Sequence, residues 1–426
     1  MISRTFKQAG SVISRHNSSY APLGTSNPIP ATFIRGGTSK GIFIQRSELP
    51  QDKAAWEPIF LGIMGSPDAE YGRQLNGMGG GVSSLSKIMV VGPPQTEDLR
   101  AQGVHAEYTF VQVGVKDASI DYSGNCGNLS SVVGVYALDE GICDFEAVTG
   151  GERPQGRVRL FNTNTQKIIE TTFPIQSLSD SAGHVAQLDL QEVAIAGVSG
   201  SASQILLDFV NPGGARTGKL LPTGLPTDTL SISTPSSGSQ DIPTTLLDAT
   251  NPTVFVLSSD LEPIVPFHAY TQGTASSTDT ELVSNVLESL RRQGAEKMGL
   301  DPEAQAQPKI AIISTPLADG RGDSVDIVVH ALSMGVLHKA VPMTVGLCLG
   351  VAANVQGTLP WQIVTEVRRL REQNDAGSSA GTSELVKIRH PGGVVDVGAE
   401  FAEDGTVKSA RVVRTGRRLM KGVVWW

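Results

Sequence analysis

Short apolar runs closed off by Gly, Pro and Ser recur from Ile29 onward: ATFI, GIFI, KIMVVG, YTFVQVGV and SIDYS. Such runs predict strands joined by tight turns. After Cys126 the period changes. Leu129, Val132, Val133, Tyr136 and Leu138 fall on a helical repeat and Gly141 supplies a stop, so a single helix is predicted there. RVRLFNT, KIIETTFPI and HVAQLDL return to the strand pattern. The second half repeats this logic. TVFVL, KIAIIS and SVDIVVHAL predict strands, residues 342–355 a helix apolar on every side, and LVKIRHPGGVVDVGAEF with VKSARVVRTGRRLMKGVVW a strand meander. Amphipathic helices over 277–298 and 361–373 carry charged faces (Glu288, Arg291, Arg292; Glu366, Arg368, Arg369) that are expected to meet solvent. TPSSGSQDIPTT and QNDAGSSAGTS are expected to be loops.

A helix that is apolar all round must be enclosed, and strands are the abundant element available to enclose it. The pattern therefore predicts an α+β fold of two pseudo-symmetric domains, each a curved, mostly antiparallel sheet wrapped around a central helix. Too few helices alternate with the strands for a doubly wound α/β sheet. At 44.8 kDa the chain also exceeds the size at which a single core usually stops growing. The expected division is a leader over 1–24, an N-terminal domain over 25–215 joined by the C-terminal strand 405–426, and a C-terminal domain over 216–404.

Composition narrows the partners. A net charge of -8, with no basic cluster and 5% aromatic residues, argues against nucleic acid. No apolar run has the length that spans a bilayer. A small anionic substrate stays compatible if cations and backbone amides are placed locally. The leader MISRTFKQAGSVISRHNSSYAPL differs from the rest: it carries Arg4, Lys7 and Arg15, is rich in Ser, and the first acidic residue is Glu48. That is the composition of a mitochondrial transit peptide and predicts the matrix; an untargeted extension would leave the protein in the cytoplasm.

The candidate chemistry centres on DYSGNCGNLSS, residues 121–131. Three cysteines do not make a disulfide framework. Cys126 stands between Asn125 and Gly127 at a predicted helix start, where backbone N–H groups can approach an anion and a thiol pKa near ~8.5 is lowered. Cys143 and Cys348 read as small buried hydrophobes. RGGTSKG, residues 35–41, is overbuilt for a hairpin turn, and Arg35, Thr38, Ser39 and Lys40 are donors of the kind a carboxylate needs. NGMGGGVSSLSKIMVV, residues 76–91, sets three glycines before Ser83, Ser84, Ser86 and Lys87. It is not a P-loop, since no Gly directly precedes Lys87 and a strand follows. Lys87 reads as a base, an electrostatic clamp or a plain surface lysine. With no CxxC, no HExxH and no His/Cys cluster at ligand spacing, neither a metal nor a cofactor is expected.

IPATFIRGGTSKGIFI, RQLNGMGGGVSSLSKIMVV, DYSGNCGNLSSVVGVYAL and NTNTQKII resemble the PrpF-like family, with weaker matches in NPGGARTGKLLPTG, DATNPTVFV, HKAVPMTVGLCLGVAANVQGT and IRHPGG. The similarity runs from about Pro28 to Gly422. That family is similar in fold to diaminopimelate epimerase, with the site in the cleft between two domains. It includes methylitaconate and methylaconitate isomerases, oxalomesaconate tautomerases and aconitate isomerases. The resemblance implies Cys126 and Lys87 as acid and base, and a small unsaturated polycarboxylate as substrate. Arg35, Ser39, Lys40, Ser83, Ser84, Asn125, Gly127, Asn128, His338 and Lys339 would bind it. Where the family often has AGNP, this chain has DATNP around Asn251. Three other readings stay open: a racemase or epimerase, which would want a second thiol at the second helix start; a cysteine hydrolase, which would want a histidine at Cys126; and a non-catalytic carboxylate-binding accessory of an aconitase-like iron–sulfur enzyme. A homodimer is also left open.

Overall fold

The computed structural model of the chain describes residues 26–148, 153–177, 183–234, 238–316, 325–374 and 385–426. The leader 1–24 and most of QNDAGSSAGTS lie outside them. The strands pair in an unbroken path. In the first half it runs Gly416–Val424, Ile29–Gly36, Ser39–Gln45, Lys87–Gly92, Ala106–Val113, Gln155–Asn162, Lys167–Ser177, Ile205–Val210. There Ile205–Val210 pairs with Val407–Arg414, and the path continues through Gly393–Phe401, Leu385–His390, Ile327–Ser333 and Lys309–Ser314. Asn251–Leu257, Gly238–Ala249 and Asp228–Thr234 complete it. Four of these pairings are parallel and the rest antiparallel.

Each half encloses a helix. The segments Gly127–Ser130 and Val133–Asp139 contact strands of the first half, and Met343–Ala352 contacts strands of the second. Leu347, Leu349 and Val351 are fully buried, each worth roughly 1.5–3 kcal/mol of burial. A single apolar cluster includes Val132, Val133 and Tyr136 together with Val345, Leu347 and Leu349, so the two halves share their core. Outside the sheet, Trp56–Met64 covers the first half and Ser277–Lys297 the second, each over its own apolar cluster.

Four expectations change. The helix after Cys126 is two pieces, broken at Val132 (φ -110, ψ 7). The cause is local: Ser131 Oγ donates to Asn128 O (2.7 Å), the carbonyl that Val132 N–H would use in a continuous helix, and Val132 N–H turns to Leu129 O (3.1 Å). Arg291 does not face solvent. It is 3% exposed, and its guanidinium is satisfied by Glu288 and the carbonyls of Pro302 and Ala304. GSQDIPTT is strand, because Gly238–Ala249 forms a hairpin with Asp228–Thr234. SIDYS contributes only Ile120–Asp121.

Candidate active site

The site is assembled where the first hairpin meets the first central helix. Gly36 pairs with Ser39, leaving Gly37 and Thr38 as a two-residue turn, and Gly37 (φ 50) adopts the positive φ that a type II′ turn needs at its first central position. The turn is pressed onto the helix start. A Cβ on Gly36 would lie 2.3 Å from Asn128 O, and one on Gly37 2.3 Å from Asn128 Oδ1. Asn128 braces the junction. Its Nδ2 donates to Thr38 Oγ1 (3.0 Å) and Ser39 Oγ (3.5 Å), while its Oδ1 accepts from Arg414 Nε (3.1 Å).

Cys126 is the N-cap of Gly127–Ser130, and its Sγ lies 3.8 Å from Oγ of the buried Ser39. Beside it, Asn125 Oδ1 accepts from Ser130 Oγ (2.9 Å), Tyr108 OH (3.3 Å) and Asn162 Nδ2 (3.4 Å). That fixes the carboxamide and leaves its Nδ2 without a partner among the described residues. Gly127 is needed for a close approach. A Cβ there would sit 2.1 Å from Sδ of Met343, the first residue of the second central helix.

Lys87 opens the strand Lys87–Gly92 and is 8% exposed. Its Nζ donates to Oε1 of its cross-strand neighbour Gln112 and stands 5.0 Å from the centroid of Phe110. Gln112 is anchored in turn by the carbonyls of Ser83 (3.2 Å) and Ser86 (3.0 Å). Burial lowers the Lys87 pKa, against the charge of Cys126, which raises it.

Arg414 and His390 were not legible as site residues. Part of the Arg414 side chain stays accessible, yet burial pushes its pKa down to about 10, opposed by the charge of Cys126. Among the described residues no carboxylate pairs with it; its partners are Asn128 Oδ1 and the carbonyl of Val413. His390 (9% exposed) is pushed down to about 4, first by burial, then by Arg414 and His338. Both histidines accept a backbone N–H at Nδ1, from Gly392 and Ala340, each at 3.1 Å. His390 is therefore held as a neutral imidazole with the proton on Nε2. Neither histidine supplies the hydrogen bond to Cys126 that a cysteine hydrolase would want.

Other expected residues point elsewhere. Arg35 Nη1 is committed to the carbonyls of Gly37 (2.9 Å) and Thr415 (3.1 Å), and its guanidinium lines a separate cavity of about 820 Å³. Lys40 alternates to the strand face opposite Ser39, 5.6 Å from the centroid of Phe33. Lys339 is exposed, and Ser83 and Ser84 lie on the 3-10 turn Ser83–Leu85 that leads into Lys87. Cys348 is fully buried and Cys143 partly so, and burial pushes both thiols up to about 12. Thr250, in DATNP, takes a positive φ of 63 and donates from Oγ1 to Thr344 O (2.9 Å). Among the described residues no three His, Cys, Asp or Glu are grouped to hold a metal ion, and no helix is long and apolar enough to cross a membrane.

A thiol, a desolvated lysine and a desolvated guanidinium around a helix start can hold an anion and exchange protons with it, on a two-part α+β scaffold. The chain belongs to the PrpF family, whose model, described as "PrpF protein", matches residues 26–426. It is 33% identical over 419 residues to the 3-methylitaconate isomerase of Eubacterium barkeri, covering 93% of this chain and 97% of that one. It is 32% identical over 422 residues to the 2-methyl-aconitate isomerase of Shewanella oneidensis, covering 93% and 96%. A crystal structure of methylitaconate-delta-isomerase superimposes with a TM-score of 0.74 at 32% identity, over 94% of this chain and 96% of that one.

Proposed function

We propose that this chain is an isomerase that moves a carbon–carbon double bond within a small unsaturated di- or tricarboxylate. The relatives named for methylitaconate and methylaconitate isomerisation support the reaction class. The observation that carries the residue assignment is the shared environment of Cys126 and Lys87, in which burial lowers the Lys87 pKa and the charge of Cys126 raises it.

In this reading the Cys126 thiolate removes a proton from the carbon allylic to the double bond. The C–H pair enters the allylic system, and negative charge spreads onto the conjugated carboxylate. The Lys87 ammonium returns a proton at the far carbon, and the pair is reset by transfer from thiol to amine, directly or through water. Arg414 faces a carboxylate, and Asn125 Nδ2 with the first-turn amides stabilises the developing oxyanion, where one preorganised donor is worth roughly 3 kcal/mol. A desolvated guanidinium without a carboxylate partner is costly, and an anionic substrate offsets that cost.

Two readings lose ground for stated reasons. A two-thiol racemase would need a second thiol at the second helix start, where Met343 stands, with Cys348 buried inside the helix. A purely accessory binding role is less well supported because the relatives are named for isomerisation. The test is proton NMR of the purified full chain with aconitate, methylitaconate, methylaconitate and oxalomesaconate in deuterated water. Double-bond migration with deuterium at the newly protonated carbon is expected for at least one acid; no turnover of any would leave only the accessory role. The leader is further proposed to direct the protein to mitochondria on its composition, and residues 1–24 fused to a fluorescent reporter test this.

A further inference from the structure

Arg35 and Arg417 are direct cross-strand partners on Ile29–Gly36 and Gly416–Val424. Like charges placed opposite each other destabilise a strand pair. The charge of Arg417 adds to burial in lowering the Arg35 pKa. Their strand neighbours differ. Arg418 holds both oxygens of Asp139 (2.5 and 2.7 Å), and Lys421 holds Glu140 (2.8 Å). Among the described residues, neither Arg35 nor Arg417 has a carboxylate partner.

All four cations line one cavity of about 820 Å³, together with Gln187, Gln191, Ser199 and Ser201, the paired Asp139 and Glu140, and a single further carboxylate, Asp189. The volume is ample for a small molecule. Cys126 and Lys87 do not line it. Arg35 is pre-positioned, because its Nη1 is held by the carbonyls of Gly37 and Thr415 and by Thr415 Oγ1 (3.1 Å).

We propose that this cavity is a second binding site for a small polycarboxylate, with Arg35 and Arg417 each taking one carboxylate. Side chains directly opposite in an antiparallel pair start about 5 Å apart at Cβ, a spacing that suits carboxylates on neighbouring carbons better than a single compact anion. Guanidinium groups match carboxylates with two parallel N–H donors. The wall of amides and hydroxyls supplies further donors. The proposal does not depend on the reaction assigned to Cys126.

Calorimetric titration of the full chain with propane-1,2,3-tricarboxylate, a saturated acid with no double bond to move, tests it. The chain is used before and after alkylation of Cys126 with iodoacetamide. The alkylated chain is expected to keep one binding equivalent, and Arg417→Gln in the alkylated chain to weaken it about tenfold or more, as loss of a charge-assisted hydrogen bond does. Arg417 is exposed, so the substitution does not threaten folding. Inorganic phosphate is expected to bind there at least about tenfold more weakly than the tricarboxylate. Absence of binding to the alkylated chain, unchanged affinity in Arg417→Gln, or phosphate binding as tightly as the tricarboxylate would each overturn the proposal.

Discussion

The two central helices occupy equivalent places in the two halves, but their first residues are opposite in kind. The first begins SGNCGN, with a thiol at the N-cap, two glycines, and a hairpin turn packed within contact of the backbone. The second begins Pro342–Met343, with an extended proline cap and an apolar side chain, and its thiol lies five residues further in and fully buried. The first start gathers Lys87, Ser39 and Arg414; near the second stand His338 and the neutral His390. The difference teaches that a duplicated architecture need not have duplicated chemistry. One half holds Cys126 and Lys87, and the other meets it through Met343. The macrodipole of a four-residue helical segment is short, and the half-buried Arg414 adds a full positive charge beside it.

The largest expected effect separates the two thiols. Cys126→Ser is expected to fold normally and lose roughly 10²–10⁴-fold in kcat, the usual worth of a positioned acid–base group. Cys348→Ser is expected to leave kcat within a factor of about three and lower the melting temperature, because it replaces a fully buried thiol, 3.5 Å from Leu247 O, with a smaller and more polar hydroxyl. Equal losses of kcat in both variants would erase the distinction between the helix starts.

Lys87 comes next. Its ammonium is the proposed acid, so activity falls as pH rises through its pKa. Burial lowers that pKa, and the alkaline limb is expected below the ordinary lysine range. Lys87→Gln is expected to lose roughly 10²-fold or more and to abolish that limb. Lys87→Arg keeps the charge but releases no proton, so it is not expected to rescue. Rescue by arginine would make Lys87 an electrostatic clamp.

How far these groups were legible in the sequence follows from where they sit. Cys126 stood out because glycine and asparagine frame it, and Lys87 because a glycine-rich loop runs into a strand there. Arg414 and His390 lie in strands that carry other charges, and no motif sets them apart. The usable signal was phase. Arg414 is two and four residues from the buried Val412 and Ala410, and His390 two and four from Ile388 and Val386, so both lie on the core-facing side of their strands. Asn162 follows Val158 and Leu160 in the same way and is itself fully buried. A polar residue in phase with the core at the end of a strand marks the site here. The curved sheet and its enclosed helices were legible from the apolar pattern. The break at Val132 was not, because it depends on which carbonyl the Ser131 hydroxyl finds, and Arg291 was misplaced because carbonyls beyond its own helix satisfy it.

A smaller effect is expected on stability near the second helix start. The folded pKa of His390 is about 4 against an ordinary 6.5. Between those values the unfolded chain binds the proton more tightly, so stability rises with pH across that window and is lost as pH falls through it. The loss at pH 4 relative to pH 7 is at most about 3 kcal/mol. His390→Gln is expected to flatten the urea-unfolding free energy between pH 4 and 6.5. An unchanged slope would show that His390 is not held neutral by its surroundings.

The smallest effect tests the contact between the two starts themselves. Gly127 lies in the first helical turn, where alanine is normally favoured by up to about 1 kcal/mol. Here a Cβ would meet Met343 Sδ at 2.1 Å and Cε at 2.6 Å. Methionine is flexible and can swing away, so the clash is not prohibitive, but swinging away gives up its packing at the junction. Gly127→Ala is therefore expected to destabilise by about 1–2 kcal/mol rather than stabilise. In a Met343→Ala background the obstructing atoms are gone, and the same substitution is expected to change sign and stabilise by up to about 1 kcal/mol. A double-mutant cycle by urea unfolding reads this reversal directly. If Gly127→Ala costs the same in both backgrounds, the glycine answers to something other than Met343, and the two halves do not meet through these helix starts.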